Sequence, residues 1–150
     1  MPRRSLARLL WLALVCWAAG ILWLSARTPQ QMPDAAFLLG DKVNHVIAYT
    51  VGGWLAASAL RLSRPRSPAA GSVAMAIVVV AGIGIADEML QALTPGRTGA
   101  DIYDWTADLF GALTGALVSA ATHRRLDSPS RPLIPRNSHR SGPPEPPKTR

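Results

Sequence analysis

Asp41 and His45 stand four residues apart, Glu88 and Gln91 three apart, and Asp104 and Asp108 four apart, with Arg97 between the second and third pairs. Such spacings put each pair on one face of a helix. Imidazole titrates near working pH and serves as general acid or base when a carboxylate orients it. His45 with Glu88 or Asp104 therefore forms the candidate catalytic set. A guanidinium grips phosphate or carboxylate through paired N–H bonds, which makes Arg97 the candidate anion contact. Lys42, Gln91, Asp41 and Asp108 complete the candidate binding residues. A variant places a divalent cation on His45, Glu88 and Asp104, one nitrogen and two oxygen ligands that several metals accept. No resident metal or cofactor is assigned, and no nucleophilic Ser or Cys is expected on this face.

Each residue also has a plainer role. Asp41 is a candidate N-cap, worth about 1 kcal/mol at a helix start. Lys42 has a stem long enough to snorkel to headgroups. His45 alone reads as a hydrogen-bonded interior histidine. Glu88 falls near a helix C-terminus, where the dipole disfavours a carboxylate, so a partner is expected, with Arg97 or His45 the nearest choices. Asp108 lies about one turn deeper than Asp104, which calls for protonation or a hydrogen-bonding partner. Asp34 and Asp101 read as ordinary loop acids.

These residues are held by apolar segments. The chain has 150 residues, 49% hydrophobic and 17% charged, and its apolar residues come in four long runs, at 6–25, 43–62, 70–93 and 105–122. Twenty helical residues reach about 30 Å, the thickness of a hydrocarbon core. Four runs with almost no polar face leave a soluble domain no solvated surface, and no alternation suggests a barrel. The expected fold is all-α, a four-helix transmembrane bundle over residues 1–122. Lone Cys16 excludes an internal disulfide or a Cys-rich zinc site. A cleaved signal peptide is the rival reading of the first run, given Arg3 and Arg4. Its apolar stretch is longer than an h-region of about 7–15 residues, and no A-x-A-like site follows.

The net charge of +7 does not point to nucleic acid, because the basic residues sit at the ends of apolar runs and in a tail. Thirteen of the 16 Lys and Arg lie on one side of the four runs, against Arg27, Lys42 and Arg97 on the other. The positive-inside rule then puts both termini in the cytoplasm, with Trp23 and Trp105 near the outer interface. Residues 123–150 carry seven prolines and no apolar period, so a disordered basic tail is expected, available to anionic lipid. Seven of the nine acids fall on the outer side. Below them run small residues: Ala48, Gly52 and Ala56; Ala81 and Gly84; Gly111, Gly115 and Ser119. Small faces let helices approach closely, so three helices are expected to converge under one outer polar pocket.

The sequence Asp41-Lys42-x-x-His45 heading one helix resembles the VanZ-like family. So do Glu88-x-x-Gln91 ending the next, Pro95-Gly96-Arg97-Thr98 after it, Asp104 opening a helix, and Gly111 with Gly115. The likeness covers about residues 40–120, and the first helix fits by position. Asp108 stands where the family pattern usually has Asn, adding a negative charge. The resemblance implies a multi-pass protein of the bacterial cell membrane; the family is named for an accessory protein giving low-level teicoplanin resistance. It implies no particular reaction.

Three functions fit these residues. One is a pocket that binds or modifies an anionic, lipid-linked cell-envelope component, with an effect on glycopeptide susceptibility. Another is a non-catalytic membrane helper whose polar cluster is a structural network. The third is a small transporter subunit, which would need a polar path that the inner halves of these helices do not offer. Whether the protein is an enzyme, and its oligomeric state, stay open at this point.

Overall fold

A computed structural model describes residues 2–33 and 39–127. Four helices follow one another: α1 (Arg3–Ser25), α2 (Asp41–Ser63), α3 (Ala69–Leu93) and α4 (Ile102–Asp127). A 3₁₀ turn, Pro29–Gln31, follows α1, and no strand occurs among the described residues. α1, α2 and α3 are long and apolar enough to cross a membrane. α4 is as long, at 26 residues, but carries Asp104, Asp108, Asp127 and two arginines, which make it more polar.

Several helix ends differ from the expected runs; α1 and α4 each begin three residues earlier. α4 continues five residues past 122 to Asp127, so His123–Asp127 is helical rather than tail. Arg124 falls in this added stretch, where a cation complements the helix dipole. The remaining tail, and Asp34, lie outside the described residues. Asp41 is not an N-cap: Gly40 holds that position with φ at 79°, and Asp41 is the first helical residue. At α4 the cap is Asp101, whose Oδ1 accepts the Tyr103 N–H at 2.8 Å.

α2 and α4 pack most closely because their facing residues lack bulk. A Cβ on Gly115 would run into the Thr50 carbonyl, one on Gly111 would lie 2.6 Å from the Val46 carbonyl oxygen, and one on Gly53 would strike Ala112 backbone. Further along, the Ser58 and Ser119 hydroxyls share a hydrogen bond of 2.8 Å. The stripe expected on α4 is thus a packing seam. α1 docks differently, laying Trp17 over Gly52 while its indole N–H donates to the Ala48 carbonyl at 3.0 Å. The Trp17 ring also meets Tyr49 edge-on, 5.4 Å between centroids. Leu14, Leu55, Leu60, Ala76 and Val80 fill the rest of the core. Outward, Leu12, Val15, Val78, Met89 and Phe110 leave an apolar girdle that suits hydrocarbon.

Candidate functional site

The C-terminal ends of α1 and α3 and the N-terminal ends of α2 and α4 meet at one end of the bundle, the end marked by Asp41. Lys42, exposed on the first turn of α2, reaches buried Asp104 of α4 with Nζ 2.6 Å from Oδ1, and Asp101 at 3.3 Å. Snorkelling therefore does not describe it; it is a clamp between α2 and the start of α4. The Asp101 carboxyl is held below its ordinary value, chiefly by the Tyr103 backbone N–H and then by Lys42. Asp101 is accordingly more than a loop acid.

One turn along α2, His45 is buried, with Nδ1 2.8 Å from Asp108 Oδ1. With Asp108 ionised, Nδ1 carries the hydrogen, because a carboxylate only accepts. Nε2 faces Asp41 at 3.9 Å. The carboxylate that orients His45 is thus Asp108, and not Glu88 or Asp104 as expected. Asp108 reaches this place because α3 offers Gly84 opposite; a Cβ there would stand 2.8 Å from Asp108 Oδ2.

Glu88 also departs from expectation. Its Oε2 accepts the Asp101 backbone N–H at 2.8 Å, tying the end of α3 to the turn before α4. Neither Arg97 nor His45 hydrogen-bonds it. The Asp101 amide reaches Oε2 without the entropy cost of ordering a long, flexible guanidinium. Gln91 turns to Asp87, donating from Nε2 to Oδ1 at 3.2 Å, because i to i+4 brings those two side chains together.

Asp87 is the residue that sequence reasoning passed over. It is 2% exposed and collects donors from three helices. Tyr49 of α2 donates to Oδ2 at 2.9 Å, Gln91 of its own helix donates to Oδ1, and so does the Ser25 hydroxyl at the end of α1. Ser25 lies at this face although no serine was expected there; it bonds Asp87 and the Ile21 carbonyl, with no contact to His45 that would activate it. The Asp87–Gln91 spacing was a readable signal, whereas Tyr49 and Ser25 come from other helices and carried none.

His45 stands between two groups. One ligand atom from each of His45, Asp87, Glu88 and Asp108 lies within 4.8 Å of the others, and the same holds for Asp41, His45 and Asp104. Glu88 and Asp104 fall in different groups, so the expected His45–Glu88–Asp104 cation set is not assembled.

Beside these groups opens a cavity of about 540 Å3. Ser25, His45, Tyr49, Asp87, Gln91 and Arg97 line its polar side. Leu24, Met32, Leu39 and Ile47 supply apolar lining. Arg97 follows Gly96, whose φ of 77° turns the chain after α3 toward the cavity. The half-buried Arg97 guanidinium makes no hydrogen bond or ion pair among the described residues. Of the candidate binding residues, Arg97, Asp41 and Gln91 thus border the cavity, while Lys42 and Asp108 stand outside its lining.

No family model matches the chain, nor does any curated protein or any solved structure. Its chemistry has to be read from the site itself.

Proposed function

We propose that this is a multi-pass protein of the bacterial cell membrane, VanZ-like in kind, whose outward-facing pocket binds an anionic, lipid-linked component of the cell envelope. In this reading α4 is the fourth span and both termini are cytoplasmic. The observation that carries it is Arg97: a cation bordering an amphipathic cavity with no partner of its own among the described residues. Its fork suits a phosphate or carboxylate head, while Leu24, Met32, Leu39 and Ile47 suit an acyl or isoprenoid stem. Binding is the activity that Arg97 and the apolar lining support.

The hydrogen bonds favour a second reading on one count. His45–Asp108, Lys42–Asp104 and Tyr49–Asp87 each join two helices, as a structural network in a helper protein would. Teicoplanin susceptibility of a bacterium expressing the protein separates the two. Under the proposal, Arg97→Ala abolishes protection at unchanged membrane abundance, and Arg97→Lys, which keeps charge but loses the fork, retains part of it. Protection that survives Arg97→Ala, or is never seen, leaves the network reading.

A further inference from the structure

Beneath the cavity three carboxylates converge on one imidazole: Asp87, Glu88, Asp108 and His45. All four are buried, at 2%, 5%, 0% and 8% exposure respectively. We propose that they form a binding site for one divalent cation of the Mn2+ or Zn2+ type.

Geometry comes first. Bonds of about 2.0–2.4 Å to a common ion leave donor atoms about 3–4.8 Å apart. One donor from each of these side chains lies within 4.8 Å of the rest.

Unmet hydrogen-bonding capacity comes second. Glu88 Oε1 and Asp108 Oδ2 are buried and have no hydrogen-bond partner among the described residues. A buried polar atom left without a partner costs about 1–3 kcal/mol, and more when it is charged. Two such oxygens on two acids of one cluster leave acceptor capacity that a cation would satisfy. Asp87 has donors from Tyr49, Ser25 and Gln91, yet a carboxylate has about four acceptor sites and keeps room for a metal bond.

Charge comes third. Lys42 is engaged with Asp101 and Asp104, and no Lys or Arg forms an ion pair with Asp87, Glu88 or Asp108 among the described residues. Three acids therefore share one imidazole in a poorly hydrated place. A dication balances two of those charges at once.

The donor set narrows the ion. Imidazole nitrogen with three carboxylate oxygens fits Mn2+ and Zn2+ better than an all-oxygen cation or a thiolate-seeking one. Nδ1, the nitrogen turned to Asp108, becomes the ligand; the ring hydrogen moves to Nε2, which already faces Asp41 at 3.9 Å. A metal-bound histidine whose other nitrogen points to a carboxylate is a common outer-sphere arrangement. His45 and Asp87 border the cavity, so the ion has a route in.

The inference stands without the anionic-ligand reading, although a bound dication would turn a negative pocket floor into one that welcomes an anion. The test is a Mn2+ titration of the full-length protein in nanodiscs, following the free-ion EPR signal, with Zn2+ as competitor. The expected result is about one Mn2+ bound per chain, displaced by Zn2+, and a higher melting temperature with either ion. Asp108→Asn and Glu88→Gln should each weaken binding more than about 100-fold, beyond the loss of an outer-sphere partner. Asp104→Asn, in the neighbouring group, and Arg97→Ala should leave it intact. An undiminished free-ion signal with wild-type protein overturns the proposal, and so does binding that survives both Asp108→Asn and Glu88→Gln. If either variant fails to accumulate, the wild-type titration and the other variant still decide. Loss of protection in Arg97→Ala cells with ion binding retained would show the two readings to be separable.

Discussion

Tyr49 donates its phenolic hydrogen to Asp87 Oδ2 at 2.9 Å, and through that bond α2 holds the acid on which α1 and α3 also converge. The ring needs no rearrangement to do so, because Trp17 meets it edge-on and His45 stacks against it with 6.1 Å between centroids. Tyr49→Phe keeps the ring and removes the donor. It should lower unfolding stability by about 1–3 kcal/mol, measured by thermal melting in detergent micelles. An unchanged melt would show that Asp87 does not depend on this bond.

The seam between α2 and α4 should tolerate no added carbon. Gly115→Ala places a Cβ against the Thr50 carbonyl and should cost about 1–3 kcal/mol, whereas Gly82, with nothing within 4 Å, should accept Ala with no loss. Melting curves of the two variants make the comparison, and equal behaviour would contradict the packing described.

Acid should loosen the Lys42 clamp from its exposed side. The Asp101 carboxyl sits below its ordinary 3.8 in the folded protein, so its stabilising contribution is complete above that value. It fades as pH falls below 3.8 through the lower folded value. Asp101→Asn should therefore flatten part of the acid limb of a stability–pH curve while leaving the neutral region with only a small loss. A limb as steep as that of the wild type would remove Asp101 from the acid response.

Membrane orientation is open to labelling. In a Cys16→Ser background, Thr98→Cys at the cavity mouth should react with an impermeant maleimide on intact cells, and Arg64→Cys in the α2–α3 connection should not. Gly99 is a poor labelling position, since its Cβ would strike the Ala92 backbone. The reverse pattern of labelling would place the cavity in the cytoplasm and end the envelope reading.

What could be read beforehand was whatever lies within one helix. Asp104, Asp108, Gly111, Gly115 and Ser119 form a stripe by spacing alone, and the structure lays that stripe on α2. The convergence of Asp41, His45, Glu88 and Arg97 at one end likewise follows from helix lengths. Partner choice was not legible. Asp87 and Glu88 are adjacent and about 100° apart round α3, and both turn inward, one to Tyr49 and Ser25, the other to the Asp101 amide. Which acid meets which donor depends on helix rotation and on the path of the connection between α3 and α4. The role of Asp108 depended on Gly84, a residue whose meaning appears only when α3 and α4 are side by side.

The Lys42–Asp104 and His45–Asp108 pairs bear on biogenesis in the four-span arrangement. α4 leaves the ribosome last and brings two buried acids, which a helix entering lipid alone would carry at a cost of several kcal/mol. Its counterparts on α2 have by then been synthesised, and Gly111 with Gly115 lets the two backbones come close enough to meet them. In that arrangement, integration of the last helix would depend on the earlier one. A chain that has lost Lys42 or His45 should be recognised at the translocon, before any ligand is encountered, as an orphan hairpin for quality control.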